Sequence, residues 1–202
     1  MEHLIFYEDK LITQLSQIVG ELRILFGLSC AERLFPAYIL LDTKTNTSNS
    51  SRLRAILNRL WDDLQNGMMS NDVTTDLEEC MSLIPKEDDC EWCNEMAWAE
   101  DASSAVAYCL RAKNTGSPQE IAWAARSAYG AADNYVINLF NVNYQTPEDE
   151  RLILENPIIQ NELKRQQRDI SILISSNKEL ANKILIDEFK TRSISERTIP
   201  IP

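Results

Sequence analysis

The stretch SPQEIAWAARSAYGAADNYVINLF, residues 117–140, decides the fold class. Ile121, Ala124, Ala125, Ala128, Ala131, Ala132, Tyr135, Val136, Leu139 and Phe140 recur three and four positions apart, which puts them on one face of an α-helix. Ser117-Pro118-Gln119-Glu120 reads as a capping box with proline at the first helical position, where its missing N–H costs nothing. The small residues on that face let a neighbouring helix approach closely. The sequence therefore makes this helix the expected centre of the fold.

The same period runs outward in both directions. Ala102, Ala105, Val106, Cys109 and Leu110 share a face of a preceding helix. Leu53, Ile56, Leu57, Leu60, Trp61 and Leu64 form another stripe, with Ser51 as the expected N-cap and Gly67 as the stop. Leu11, Leu15, Ile18, Val19, Leu22, Leu25 and Phe26 make a third, with Gly20 marking a bend or boundary inside it. Pro36 predicts a break near Phe35, followed by a short helix over residues 38–41. Residues 43–51 (TKTNTSNSS) contain no apolar side chain and read as an exposed loop. Residues 76–83 predict a short helix ended by Pro85, and residues 86–93 an acidic connector. Thr146-Pro147-Glu148-Asp149 starts a short helical segment and Asn156-Pro157 caps another. Ile170, Leu173, Ile174, Leu180, Ala181, Ile184 and Leu185 predict one last helix.

No segment of useful length alternates with the period of a strand, and glycine accounts for only 5 of 202 residues. The expectation is an all-α, single-domain multi-helix bundle of about seven to nine helices over residues 1–192. Residues 193–202, ending in Ile-Pro-Ile-Pro, read as a flexible tail. No apolar run approaches the roughly 20 residues of a membrane helix, and the N-terminus shows no secretory signal, so a cytoplasmic protein without membrane contact is expected.

The chain carries 20 basic and 31 acidic residues, a net charge of −11. Between Asp62 and Asp101 thirteen acidic residues are opposed by Lys86 alone, so that segment holds −12 and the rest of the chain +1. A field of that sign repels phosphate backbones and argues against nucleic-acid binding. It attracts a basic protein partner and speeds the encounter. The competing explanation is a solvated acidic face that keeps the protein soluble.

Several chemistries lack their residues. The one histidine, His3, lies near the N-terminus, so a Ser-His-Asp or Cys-His arrangement would depend on it. No Glu-x-x-His pair offers a di-iron site, and neither GxxxxGK[ST] nor GxGxxG occurs. Cys90-Glu-Trp-Cys93 has the spacing of a metal or redox pair. A structural zinc needs four ligands, which Cys80 and Cys109 would have to complete. Cys109 reads more simply as a core thiol on its helical stripe. The acidic side chains Glu87, Asp88, Asp89, Glu91 and Glu95 around the CxxC disfavour thiolate chemistry. No cofactor and no metal are therefore expected. The carboxylate pairs Glu91/Glu95 and Asp76/Glu78 keep a metal-dependent hydrolase as a minor alternative. Trp61 belongs to a core stripe. Trp92, ringed by carboxylates, has either the composition of a binding anchor or the task of tucking the connector onto the bundle.

Cys30-Ala-Glu-Arg-Leu-Phe-Pro-Ala-Tyr38 resembles the C-x-E-R-[hydrophobic]-[aromatic]-P-x-Y segment of the bacterial family catalogued as domain of unknown function 416. Residues 53–64 (LRAILNRLWDDL) resemble that family's R-x-I-L-x-x-x-W-x-x-L helix. Residues 77–89 (LEECMSLIPKEDD) resemble the segment that follows it, and Glu155-Asn156-Pro157 resembles its E-N-P helix start. The matches occur in order over nearly the whole chain. The resemblance implies an all-helical single domain and carries no catalytic residue with it. It also implies an association with signalling through histidine kinases. For Glu32-Arg33 and Pro36-Tyr38, a buried ion pair and a helix break are sufficient explanations.

The expected function is that of a non-enzymatic cytosolic protein-interaction domain. Its concrete form is an immunity protein that neutralises a basic nuclease-type toxin domain by covering its nucleic-acid surface. Glu87, Asp88, Asp89, Glu91 and Glu95 would pair with Lys and Arg, and Trp92 would serve as anchor. The alternative is a signalling or housekeeping adaptor. Apolar faces on the outer helices leave a homo-oligomer open.

Overall fold

The computed structural model describes residues 3–68, 72–86, 93–140, 146–176 and 182–200. Among these there are nine α-helices and no strand: α1 (Glu8–Ser16), α2 (Gly20–Thr45), α3 (Asn49–Gln65), α4 (Thr74–Ser82), α5 (Asn94–Thr115), α6 (Pro118–Phe140), α7 (Pro147–Leu154), α8 (Pro157–Ser176) and α9 (Lys183–Ser195). The all-α multi-helix architecture is the one the periodicity predicts.

The centre lies in α2, beside the helix that the stripe singled out. α2 packs on α5 and α6 and also touches α3, α8 and α9. Leu22, Leu25, Phe26, Leu28, Leu34 and Tyr38 are all buried along it. Gly27 makes the closest approach possible. A Cβ there would sit 2.7 Å from Ile121 Cδ1 of α6 and 2.9 Å from Cys109 Sγ of α5. The alanines of α5 and α6 complete this three-helix core: Ala102, Ala105, Ala124, Ala125, Ala128 and Ala131 are fully or almost fully buried. The stripe of α6 stops short of its end, because Leu139 and Phe140 are exposed.

Four local expectations are corrected. Pro36 lies inside α2 and does not break it, so the chain is one helix of 26 residues where a break and a second short helix were expected. Burial of both flanks against neighbouring helices outweighs the hydrogen bond that the proline cannot make. The expected exposed loop at residues 43–51 is instead mostly helical: α2 runs to Thr45 and α3 starts at Asn49, with only a short turn between them. The single last helix is two, α8 and α9, and the second opens with the Asn182 side chain accepting from Leu185 N–H. The tail expected from Ser193 is docked: α9 continues to Ser195, and Thr198 and Ile199 are buried.

By length and composition α2 is apolar enough to cross a membrane, contrary to the run-length reading, and 83% of its apolar 18-residue window is buried beneath the other helices. The average over a helix tolerates Glu32 and Arg33, where a search for uninterrupted apolar runs stops at them.

Candidate functional site

A cleft of about 600 Å³ opens where the end of α2, the start of α3, the end of α4 and the start of α5 converge. Tyr38, Leu41 and Met96 supply apolar surface there, and Asp42, Lys44 and Cys93 supply polar groups. Each polar group also has a structural partner. The Tyr38 hydroxyl donates to the Leu83 carbonyl and ties the end of α4 to α2. Asp42 accepts from Ser50 N–H at 2.6 Å, from Asn49 N–H at 3.2 Å and from the Thr47 hydroxyl, and so caps α3 from outside the helix. Burial opposes the charge on Asp42, yet these hydrogen bonds hold its carboxyl below the ordinary value. Ser51, the expected cap, is already inside α3.

Lys44 Nζ and Glu95 Oε2 pair at 2.7 Å across the cleft wall. Burial opposes the charge on Glu95, and Lys44 outweighs it, leaving the carboxyl below its ordinary range. Cys93, the N-cap residue of α5, lies beside both groups. Of the residues expected to bind a partner, Glu95 is therefore already engaged within the chain. Glu87, Asp88, Asp89, Glu91 and Trp92 lie outside the described residues, as does Cys90.

The acidic segment is partly neutralised from elsewhere in the chain. Asp63 pairs with Lys113, Asp76 with Arg59, and Glu79 with Arg52 and Arg59. Asp76 and Glu78 thus do not project together: the first turns to Arg59 and the second is exposed. Asp62, Asp72, Glu78 and Glu100 remain exposed and form no ion pair with a described residue. Burial, reinforced by Glu100, pushes the half-buried Asp101 carboxyl up to about 8.

Three of the described cysteines, Cys30, Cys80 and Cys109, are buried, and Cys93 is half-buried. Burial pushes Cys30 and Cys80 up to about 12 and Cys109 well above its ordinary value, which leaves these three as inert thiols. No group of three or more His, Cys, Asp or Glu among the described residues is placed to hold a metal. His3 Nε2 lies 3.4 Å from Glu155, far along the chain from the cleft residues.

The C-x-E-R segment makes two buried networks where one ion pair was expected. Glu32 accepts from Trp61 Nε1 at 3.0 Å and pairs with Arg54 at 2.8 Å. The fully buried Arg33 reaches α8, where it meets Glu162 at 3.0 Å and Asp169 at 3.0 Å. Gln166 joins Glu162, and Arg168 and Arg192 join Asp169. Burial opposes the charge on Arg33, but the two carboxylates hold its pKa above the ordinary value. The sequence named Arg33 but gave no sign of its partners, which lie more than 120 positions away.

An all-α bundle with a charged core and a cleft at one corner is the class that fold and site define. Within that class the chain belongs to the family described as "Protein of unknown function (DUF416)", whose family model matches residues 10–198. A crystal structure of a DUF416 family protein from Shewanella baltica OS155 superposes with a TM-score of 0.80 at 18% identity, over 91% of this chain and 93% of that one. No curated protein matches the chain.

Proposed function

We propose that this protein is a protein-interaction domain that takes a basic partner through its acidic segment, in the form of an immunity protein that occludes a nuclease-type toxin domain. The observation that carries this reading is the confinement of −12 to residues 62–101 on a chain otherwise near neutrality. Part of that charge is spent on internal ion pairs. What stays exposed on α3, α4 and α5, at Asp62, Glu78 and Glu100, keeps the same sign. Pro85, just before the acidic connector, and Cys93, at its end, line the cleft, so the chain enters and leaves that segment at a concave surface about as large as a side-chain anchor requires. Electrostatic attraction of this kind speeds association and weakens with salt.

The test is capture of native-lysate proteins on the tagged chain, with elution at rising salt and identification by mass spectrometry. The expected result is one strongly basic chain that elutes only at high salt and is lost when Glu87, Asp88 and Asp89 are replaced together by lysine. A histidine kinase or other signalling component, bound without salt dependence, would move the reading to a signalling adaptor.

A further inference from the structure

The segment that follows α9 leaves the helix at Glu196 in an extended conformation (φ −97°, ψ 124°) and runs across side chains of α2, α5, α6 and α8. Its contacts are those of a peptide in a groove. The Glu196 carboxylate takes a two-pronged bond from Arg168, at 2.7 and 2.8 Å. Arg165 Nη1 donates to the Arg197 carbonyl at 2.9 Å. Thr198 N–H donates to the Arg33 carbonyl at 3.2 Å, and its hydroxyl to Glu162 Oε2 at 3.2 Å. Ile199 is buried against Ala37 and Trp98, and the Tyr135 hydroxyl donates to the Pro200 carbonyl at 3.2 Å.

The groove meets the strap's backbone beside a gap in the α2 ladder. Pro36 has no N–H to give to the Glu32 carbonyl one turn earlier, so the helix ladder of α2 is open at this level. The neighbouring Arg33 carbonyl is the one that takes Thr198. On the groove wall Trp98 is 8% exposed, and its Nε1–H is buried with no acceptor among the described residues. An indole donor in that state is one that this strap leaves unused.

We propose that residues 196–200 are a releasable intramolecular strap, and that the groove they fill is a docking site for an extended peptide of the same chemistry: an acidic residue, then, two positions on, Thr followed by an aliphatic residue and Pro. Arg168 reads the acid, the Arg33 carbonyl and Glu162 read the Thr, and the Ala37–Trp98 wall reads the aliphatic side chain. The strap also covers Glu162, so its release brings the buried Arg33–Glu162 pair toward water.

The test uses the full-length chain and a fluorescent peptide with the sequence of residues 195–200, followed by anisotropy. The wild type holds its own strap in place and competes. The variant Ile199→Asp loosens the strap and is expected to bind the peptide at least tenfold more tightly than the wild type. A peptide with Ala in place of Thr198 is expected to bind at least tenfold more weakly. Absence of saturable binding to an Ile199→Asp protein that still unfolds cooperatively would overturn the proposal. Should that variant not fold, amide exchange in the wild type decides. Exchange at Thr198 a hundredfold or more faster than in the α2 and α5 core supports a releasable strap; exchange only at the rate of global unfolding refutes it.

Discussion

Arg33 shows how much one residue holds. Its guanidinium is fully buried and meets two carboxylates of α8. Removing one partner of a buried pair leaves the others charged without compensation, at a cost of about 3–5 kcal/mol. Arg33→Met is expected to lose that much in urea unfolding. Adding Glu162→Gln to it should recover part of the loss, because a neutral amide replaces the stranded carboxylate and still accepts from Thr198. Full additivity of the two changes would show that the pair is not coupled. Asp101 is the opposite case, a carboxyl with no ion-pair partner among the described residues. Burial, with Glu100, raises it to about 8. The unfolded chain gives up this proton near the ordinary carboxyl value, about 4. Between about 4 and 8 the native state therefore holds more protons than the unfolded state, and this group's contribution to stability falls as pH rises. Asp101→Asn is expected to match the wild type in Tm near pH 4.5 and to exceed it near pH 8.5. Equal Tm differences at both pH values would refute this account.

At the scale of elements, local pattern and long-range packing divide the work. The stripes of α3 and α6 were legible because one face of each is apolar and the other polar: Leu53, Ile56, Leu57, Leu60, Trp61 and Leu64 are all buried as the spacing predicts. The boundary at Gly20 was legible too. α2 was not, because a helix buried on every side has no polar face to set a period, and Pro36 carries a local signal that tertiary contacts override. The docking of Thr198 and Ile199 was equally hidden, since their partners Arg33, Ala37, Trp98 and Glu162 come from three different helices. The same logic made the site half-legible. Glu95 was marked by its charge, and its partner Lys44, 51 positions away, by nothing in the pattern. Gly27 went unremarked because a glycine inside a helix reads as a weakness. Here its missing side chain lets α5 and α6 close on α2. Gly27→Val is expected to destabilise by about 3 kcal/mol, the upper range for overpacking, since a β-branched residue brings little helix propensity to offset the clash. An unchanged denaturation midpoint would show that Ile121 and Cys109 can move aside.

For the whole molecule the question is which acids are available to a partner. The −12 of residues 62–101 overstates that segment's field, because Asp63, Asp76, Glu79 and Glu95 are matched by cations from other parts of the chain. Glu78 and Glu100 are exposed and unmatched among the described residues. These two groups of acids should respond differently to the same substitution. Glu78→Lys with Glu100→Lys breaks no ion pair, and a cation in place of Glu100 eases the charge on Asp101, so the variant's stability should not fall by more than about 0.5 kcal/mol. Its effect on the field is a change of four charge units in the acidic segment. Binding of a lysine decamer, titrated by anisotropy at low and at moderate salt, should weaken in this variant, and the difference between the two salt conditions should shrink. Glu95→Lys should instead lower Tm, because it places a second ammonium against Lys44 at the cleft wall, while removing less of the exposed field. If both variants weakened the decamer equally and neither shifted Tm, the internal pairing at Lys44 would have no bearing on the interaction surface. The attraction would then belong to net charge alone.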